Sequence, residues 1–416
     1  MRIRWLSGTV VVLLTLISVA PSSSAFGPSF DNRPKPSVNI DFIGKPFKAF
    51  KFRDVQRYGL PDGAITFLKE GDGARVWMPT GDGGNSIEVV TDDFRHFRAT
   101  TTPAPWVLSP VPGTFESGYT GISKVVRLST GRLAAIYQAE EHPCGPQVAG
   151  VSIALATSDD DGRTWDRRGQ IITSPPISRI ACDDMVFHGV WSFAATVEPT
   201  GEYLYAWFSE GGDEQWGDAF GGLRLARAPL SGGLLPGTWQ KYYNGQWNQP
   251  GLGGFTSPTL LTPTPVFSVD PTLSNDFAGL PSVTWNTAFN RYVAIFTTMT
   301  GFWYATSPDG IEWSDGMQLL KHKVLVTTDR EPNEAWVYYP TLIDPQASSD
   351  GYSATEGILY YAYTPTGTGH EMVGRRVRIS EAPDFLPPTG IGVIWLLFAT
   401  SLLICSGAIA IRKTHL

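Results

Sequence analysis

Charged residues are scarce in this chain. Asp, Glu, Lys and Arg make up 17% of its 416 residues, and the formal net charge at pH 7 is −7. No long basic run occurs, although a nucleic-acid-binding surface would need a basic face. The composition therefore argues against nucleic acid as a partner.

Cysteine is almost absent as well. One of the three cysteines, Cys405, lies in an apolar C-terminal segment, and the other two are Cys144 and Cys182. No Cys/His pattern has the spacing of a zinc site, so we expect no metal and no other cofactor. Pairing of Cys144 with Cys182 stays open, because sequence spacing alone does not fix their distance.

The N-terminus has the pattern of an export signal. Basic residues at positions 2 and 4 precede an apolar stretch, Val10–Ala20, and small residues follow up to Ala25. This order is typical of a secretory signal peptide, predicted here as residues 1–25, and its apolar part is short for a membrane span. The alternative is an uncleaved N-terminal anchor.

The C-terminus has the pattern of an anchor. Residues 391–411 carry no charge and are long enough to cross about 30 Å of hydrocarbon as a helix. The basic tail, residues 412–416, would remain inside the cell, with the N-terminal side outside. We therefore predict one transmembrane helix and a membrane partner for residues 391–411.

The five residues before this span resemble a cell-wall sorting signal. Residues 386–390 read Leu-Pro-Pro-Thr-Gly and are similar to the LPxTG signal of Gram-positive wall proteins, with the pentapeptide, apolar span and basic tail in order. The resemblance implies a sortase that cuts between Thr389 and Gly390. A plain single-span anchor is the alternative, and both place the protein on the cell surface.

The region between these signals is rich in turn-forming and aromatic residues. The chain has 44 Gly, 32 Pro and 14 Trp. Many turns and many aromatics favour an all-β domain of short strands. We assign residues 26–60 to an N-terminal segment and residues 61–380 to this domain.

Five strand–turn–strand units recur in the domain. Their first strands begin at Ala64, Gly121, Val190, Pro281 and Val337, and most units continue through three more short strands. Such a repeat indicates a five-bladed β-propeller, with the N-terminal segment available to close the ring. A β-sandwich or two stacked β-domains are the alternatives.

Two turns carry a family resemblance. Residues 158–165 read Ser-Asp-Asp-Asp-Gly-Arg-Thr-Trp and resemble the Asp-box, S-x-D-x-G-x-T-W, of sialidase-like propellers; residues 307–313 form a shortened copy. In that family the boxes are structural. The early R-I-P-like motif of sialidases has no good match here, so the chain looks more like the five-bladed glycosidase propellers or a non-catalytic relative.

Blade geometry predicts where a site would lie. The starts of first strands and the turns from second to third strands share one face, and propeller pockets form where the first strands converge. Acidic and aromatic residues are frequent at these places, including the run Glu140-Glu141-His142. Glycoside hydrolysis needs two carboxyl groups, so this inventory predicts a glycan-acting site.

Specific roles follow from these positions. We predict Asp62 as base, Glu210 as general acid, Asp183 as the residue that orients them, and Glu141 as a reserve acid. The predicted substrate-binding residues share the same face and are Glu116, Tyr119, His142, His188, Trp247 and Tyr339. For Trp247 and its aromatic neighbours, packing between blades is the alternative to stacking on a sugar.

The leading interpretation is a surface-anchored propeller that binds, and hydrolyses, a polysaccharide or glycoconjugate. The alternative is a non-catalytic surface module that recognises a glycan or a protein through the same mouth. A purely structural wall protein would have no concave mouth.

Overall fold

The structure describes most of the central part of the chain. The computed structural model describes residues 34–143, 145, 149–175, 187–211, 222–259, 279–324, 334–365 and 370–383. The predicted signal peptide, sorting motif and apolar span lie outside these ranges. Within them, no helix is both long and apolar enough to cross a membrane.

The described residues are almost entirely β-structure, which confirms the all-β prediction. They contain one short α-helix, α1 (Phe52–Val55), and one 3-10 turn at Leu230–Gly232. The chain begins with β1 (Val38–Phe42) and β2 (Phe47–Lys48). Both of these strands pair with the last strand of the domain rather than with their sequence neighbours.

The first two blades follow in chain order as antiparallel meanders. Blade 1 consists of β3 (Thr66–Glu70), β4 (Gly73–Pro79), β5 (Ser86–Thr91) and β6 (Phe97–Arg98), with β7 (Trp106–Leu108) also on β5. Blade 2 consists of β8 (Tyr119–Arg127), β9 (Leu133–Glu141), β10 (Ala149–Ser158) and β11 (Asp166–Ile172).

Blades 3 and 4 repeat the arrangement. Blade 3 consists of β12 (Phe187–Val197), β13 (Tyr203–Gly211), β14 (Arg224–Pro229), β15 (Gln240–Tyr243) and β16 (Gln246–Pro250). Blade 4 consists of β17 (Gly279–Asn286), β18 (Arg291–Thr298), β19 (Gly301–Ser307) and β20 (Met317–Lys321). A short parallel pairing of β10 with β12 joins blades 2 and 3.

Blade 5 is completed by the N-terminus. It consists of β21 (Trp336–Ile343), β23 (Glu356–Thr364), β24 (Glu371–Glu381) and β1, while the short β22 (Tyr352–Ser353) pairs with β17 of blade 4. Ile40 of β1 lies opposite Ile379 of β24, and both are buried. The predicted closure by the N-terminal segment is thus observed, and it covers an edge that would otherwise be open.

Five apolar cores hold the blades together, one at each junction between neighbours. Fully buried examples are Leu133 between blades 1 and 2, Phe208 between 2 and 3, Trp207 between 3 and 4, Leu359 between 4 and 5, and Phe67 between 5 and 1. The sheets therefore pack face to face around a closed ring, as a propeller requires.

Turns of one design join the third and fourth strands of three blades. Asp160 accepts hydrogen bonds from the Thr164 N–H and hydroxyl (2.9 and 2.7 Å). Asp309 accepts from the N–H groups of Ile311 and Glu312, both at 2.9 Å. The third case, in blade 1, is Asp93, which accepts from the N–H groups of Arg95 (2.7 Å) and His96 (2.8 Å). This third turn lacks the S-x-D-x-G-x-T-W pattern of the first.

A loop of blade 5, between β21 and β23, crosses the axis of the ring at the end opposite the starts of the innermost strands. Asp350 binds the buried Lys124 Nζ of blade 2 at 2.9 Å and accepts the Thr66 hydroxyl of blade 1 at 2.7 Å. Gly351 has φ +92°, and a Cβ there would lie 3.2 Å from both Lys124 Nζ and the Thr196 hydroxyl of blade 3. Its carbonyl accepts from the Trp285 N–H of blade 4. This loop forms a floor for the axial channel.

Candidate functional site

The axis of the ring holds a narrow cavity to which every blade contributes. Its lining residues come from the innermost strands or the segments just before them, except for one residue of β9. They are Asp62, Gly63, Ala64, Tyr119, Ser123, Gln138, Ser192, Phe193, Leu280, Pro281, Tyr339 and Pro340. The five-bladed arrangement thus brings residues that are far apart in sequence to one place, as the sequence analysis predicted for the mouth.

A β-bulge interrupts the innermost strand of four blades at this cavity. The pairing register shifts between Ile122 and Lys124, Trp191 and Phe193, Gly279 and Ser282, and Tyr338 and Thr341. Three non-glycine residues within these bulges have positive φ: Ser192 (45°), Leu280 (50°) and Tyr339 (55°). Bulges re-aim side chains, and backbone strain of this kind concentrates at functional sites.

Asp62 is the carboxyl group of blade 1 in the cavity. Its N–H donates to the Pro79 carbonyl at 3.0 Å, and its own carbonyl accepts the Tyr119 hydroxyl. Burial and, to a smaller extent, the negative charge of Glu140 together raise the pKa of Asp62 to about 7, against the opposing effect of a hydrogen bond with the Tyr339 side chain. Asp62 therefore holds its proton up to about neutral pH, in the range that suits proton transfer.

Glu140 supplies a carboxylate behind the cavity wall. It does not line the cavity itself, but it contacts Gln138, which does. Its side chain is buried and accepts hydrogen bonds from Gln138 Nε2 (2.5 Å) and His142 Nε2 (2.7 Å). Gln138 is fixed in turn, because its Oε1 accepts from the Ser192 N–H at 2.6 Å. The His142 ring lies against Gly118, where a Cβ would come within 2.3 Å of it. Glu140 is thus held in one orientation by two blades.

The cavity can perform acid–base chemistry between two carboxyl groups of unlike character. Asp62 is desolvated and retains a proton, while Glu140 bears the charge that raises the Asp62 pKa. Tyr119, Tyr339 and Ser123 add hydroxyl groups around the pair. Among the described residues, no group of three or more His, Cys, Asp or Glu side chains is placed to hold a metal ion.

Comparison with known proteins gives structural likeness only. No protein-family model matches the chain, and no curated protein matches it in sequence. A GH62 α-L-arabinofuranosidase catalytic domain from Coprinopsis cinerea aligns with a TM-score of 0.49 and 12% identity, over 82% of this chain and 98% of its own.

Two further solved structures align similarly. An α-L-arabinofuranosidase from Podospora anserina gives a TM-score of 0.46 and 10% identity over 80% of this chain and 95% of its own. An endo-1,5-α-L-arabinanase from Thermotoga petrophila gives 0.46 and 13% over 79% and 74%. With TM-scores below 0.5, these likenesses assign the chain to no family and transfer no activity to it.

Three of the predicted site residues line the cavity, and a fourth binds the nearby Glu140. Asp62, Tyr119 and Tyr339 are lining residues, and His142 binds Glu140. Glu141, the predicted reserve acid, is exposed. Because side chains alternate along a strand, Gln138 and Glu140 share one face of β9 and Glu141 points to the other. The structure therefore places Glu140, not Glu141, beside Asp62.

Glu210 occupies a different environment from the one predicted. Its carboxylate lies 3.3 Å from Nζ of Lys241, whose side chain is fully buried, and it also accepts the Thr256 hydroxyl. Lys241 Nζ further donates to the carbonyls of Thr173 (2.7 Å) and Gly254 (2.8 Å). Glu210 does not line the axial cavity. Its contacts give it the role of counter-ion to a buried ammonium group.

Glu116 and Trp247 also lie away from the cavity. Glu116 is buried, pairs with Arg167 Nε at 2.7 Å and accepts the Tyr137 hydroxyl at 2.6 Å. The Trp247 ring contacts Tyr205 of its own blade, with ring centroids 5.4 Å apart, and the guanidinium of Arg227 lies 4.2 Å from its centroid. Trp247 also packs against the apolar core between blades 3 and 4, which is the packing alternative left open by the sequence.

Two predicted residues remain, Asp183 and His188. Asp183 lies outside the described residues, as do Cys144 and Cys182. His188 is buried beside the short β10–β12 pairing and does not line the cavity. Within the described part of the chain, neither of its ring nitrogens has a hydrogen-bond partner.

Proposed function

We propose that this protein is a surface-anchored propeller that binds a glycan at the axial mouth and hydrolyses a glycosidic bond there. One observation carries the proposal: Asp62 lines the axial cavity with its pKa raised to about 7, and the charge of the nearby Glu140 contributes to that shift. Glycosidases use such a pair, one carboxyl protonated and one ionised. Export and surface anchoring rest on the two ends of the sequence.

Each group has a role in this proposal. Its raised pKa makes Asp62 the acid in this proposal, where its position had predicted a base. Asp62 donates its proton to the oxygen of the leaving group, so that the bond to the anomeric carbon breaks without releasing an alkoxide, and the water that then adds to that carbon returns a proton to Asp62. Glu140 stabilises the positive charge that develops on the sugar, and Gln138 and His142 hold it in place for that task. Tyr119 and Tyr339 position the Asp62 backbone and carboxyl group.

The test is a hydrolysis screen of the full chain with chromogenic glycosides and polysaccharides. We expect Asp62→Asn and Glu140→Gln each to lower kcat at least about 100-fold, in line with the usual contribution of a general acid or a charge-stabilising group. Glu141→Gln is the matched control, since it makes the same change on the exposed face of the same strand.

Two results would count against the enzyme. Full turnover in Asp62→Asn would remove that residue from the mechanism. Saturable glycan binding by the wild type with no turnover of any substrate would favour the non-catalytic binding module instead.

A further inference from the structure

A second, wider pocket opens at the same end of the ring. Strand register fixes its position: Gly279 lies opposite Thr297, so the β18–β19 turn sits beside the start of β17, where Leu280 lines the axial cavity. Gly301 lies opposite Lys321, and Val324 bridges to Val337 at the start of β21. The outer pocket therefore lies between blades 4 and 5, on the face of the axial mouth.

Basic residues outnumber acidic ones in the lining of this outer pocket. It includes Thr300, Lys321, His322, Lys323, Glu334 and Met299, and its volume is about 580 Å³. Two lysines and a histidine thus face a single glutamate, in a protein whose formal net charge is −7. The volume is within the range of pockets that hold small ligands.

Two of these groups are available to a ligand. The Lys321 side chain is exposed, and it forms no ion pair with any residue that the structure describes. His322 Nδ1 donates to the Lys323 carbonyl at 3.0 Å, which orients the ring and leaves Nε2 for another contact. The Tyr363 ring lies edge-on to His322, with centroids 6.2 Å apart, and helps to hold it.

A row of aromatic rings in contact with one another runs between the two pockets. Tyr339 lines the axial cavity and contacts Tyr338, with ring centroids 4.3 Å apart. Tyr338 stacks on Trp336 at 4.5 Å and an interplanar angle of 14°. Trp336 follows Glu334 and Ala335, which line the outer pocket. Rigid packing thus fixes the position of one pocket relative to the other, on the same side of the molecule.

We propose that the outer pocket binds an anionic group, a carboxylate or a sulfate ester, on the glycan that occupies the axial mouth. The substrate class is then an acidic polysaccharide. This inference rests on the proposed function for the identity of the ligand as a glycan, and it adds the charge that the glycan carries. Lys321 supplies the contact, because an ammonium group binds such anions by charge-assisted hydrogen bonds.

The test measures binding rather than turnover, with the full chain carrying Asp62→Asn so that no probe is consumed. The probes are oligogalacturonate, a sulfated galacto-oligosaccharide and the uncharged galacto-oligosaccharide. We expect one of the two charged probes to bind more tightly than the neutral one, and which of them does so identifies the anion. Lys321→Gln should weaken that binding about fivefold, and Lys321→Arg should retain it.

The control is Arg163→Gln, which removes one positive charge from an exposed turn at the other end of the blades. It should leave the binding of all three probes unchanged. Equal affinity for charged and neutral probes, or an equal loss for both in Lys321→Gln, would overturn the inference. Preference for a charged probe by a wild type that hydrolyses nothing would leave this inference standing and remove the proposed hydrolysis.

Discussion

At the scale of single residues, Asp62 is the most informative group in the molecule. It is a carboxyl group that the fold surrounds with low-dielectric protein and with the charge of Glu140, and its pKa rises from 3.8 to about 7 as a result. Such an arrangement favours proton transfer near neutral pH and opposes stability, because the ionised form is better solvated in the unfolded chain.

The first prediction concerns the pH dependence of stability. A raised folded-state pKa means that the unfolded chain releases the Asp62 proton first, so the stability of the fold falls as pH rises from about 4 to 7 and then levels off. Asp62→Asn removes this loss. We expect it to raise the free energy of unfolding by about 2–4 kcal/mol at pH 8 and by much less at pH 4.5.

Denaturant titrations of both proteins at the two pH values check this. The Glu141→Gln variant serves as control, because Glu141 is exposed and its replacement should change stability little at either pH. An Asp62→Asn variant that is less stable than the wild type at pH 8 would contradict the assigned environment of Asp62.

Glu140 and Glu141 are neighbours that the sequence alone does not distinguish. The sequence places two glutamates side by side at the end of β9, both at the predicted mouth. Only the pairing register decides which one shares a face with Gln138, since a shift of one residue exchanges the faces. No local property of Glu140 and Glu141 distinguishes them.

At the scale of elements, blade 3 contains a buried ion pair between Glu210 of β13 and Lys241 of β15. Burial lowers the pKa of Lys241, and the charge of Glu210 opposes that change. Removing one partner of such a pair leaves an uncompensated charge in the interior, which costs more than the pair itself contributes.

The second prediction follows from this pair. Glu210→Gln should lower the free energy of unfolding by roughly 3 kcal/mol, and the double variant Glu210→Gln/Lys241→Met should recover most of the loss. Chemical denaturation of the single and double variants measures both effects. Glu202→Gln, at an exposed site of the same blade, should be neutral. A stable Glu210→Gln protein that has lost all hydrolysis would instead support the originally predicted role as general acid.

At the scale of the whole molecule, the ring is closed by a strand from the other end of the domain. β1 pairs with β24 along its whole length, from Val38 opposite Glu381 to Phe42 opposite Val377. Val38 and Ile40 are buried in the core between blades 4 and 5, whereas Asp41 is exposed. The pairing of β1 with β24 therefore also completes the apolar core between blades 4 and 5.

The third prediction tests closure with two substitutions to the same residue. Ile40→Asn places an amide in the blade 4–5 core and should lower the free energy of unfolding by about 3 kcal/mol. Asp41→Asn, one position along and on the exposed face, should change it little. Tryptophan fluorescence and far-UV circular dichroism should report the same shifted midpoint if the ring unfolds as one unit. Equal stability of the two variants would argue against closure by β1.

The sequence by itself determined the periodic features of this protein. Turn residues and aromatics recur at each blade, so the five units, the Asp160 and Asp309 turns and the position of the mouth follow from local patterns. Local patterns suffice there because each turn satisfies its own backbone with a side chain a few residues away.

Only the tertiary structure decided which side chains meet at the axis. The bulges at Ser123, Ser192, Leu280 and Tyr339 have no sequence signature, yet each re-aims its strand into the cavity. The partnership of Lys241 with Glu210, the floor formed by Asp350 and the selection of Glu140 over Glu141 likewise depend on register and on contacts between distant strands. Such contacts join residues from different strands and blades, and the period-2 pattern of one strand carries no information about its partner.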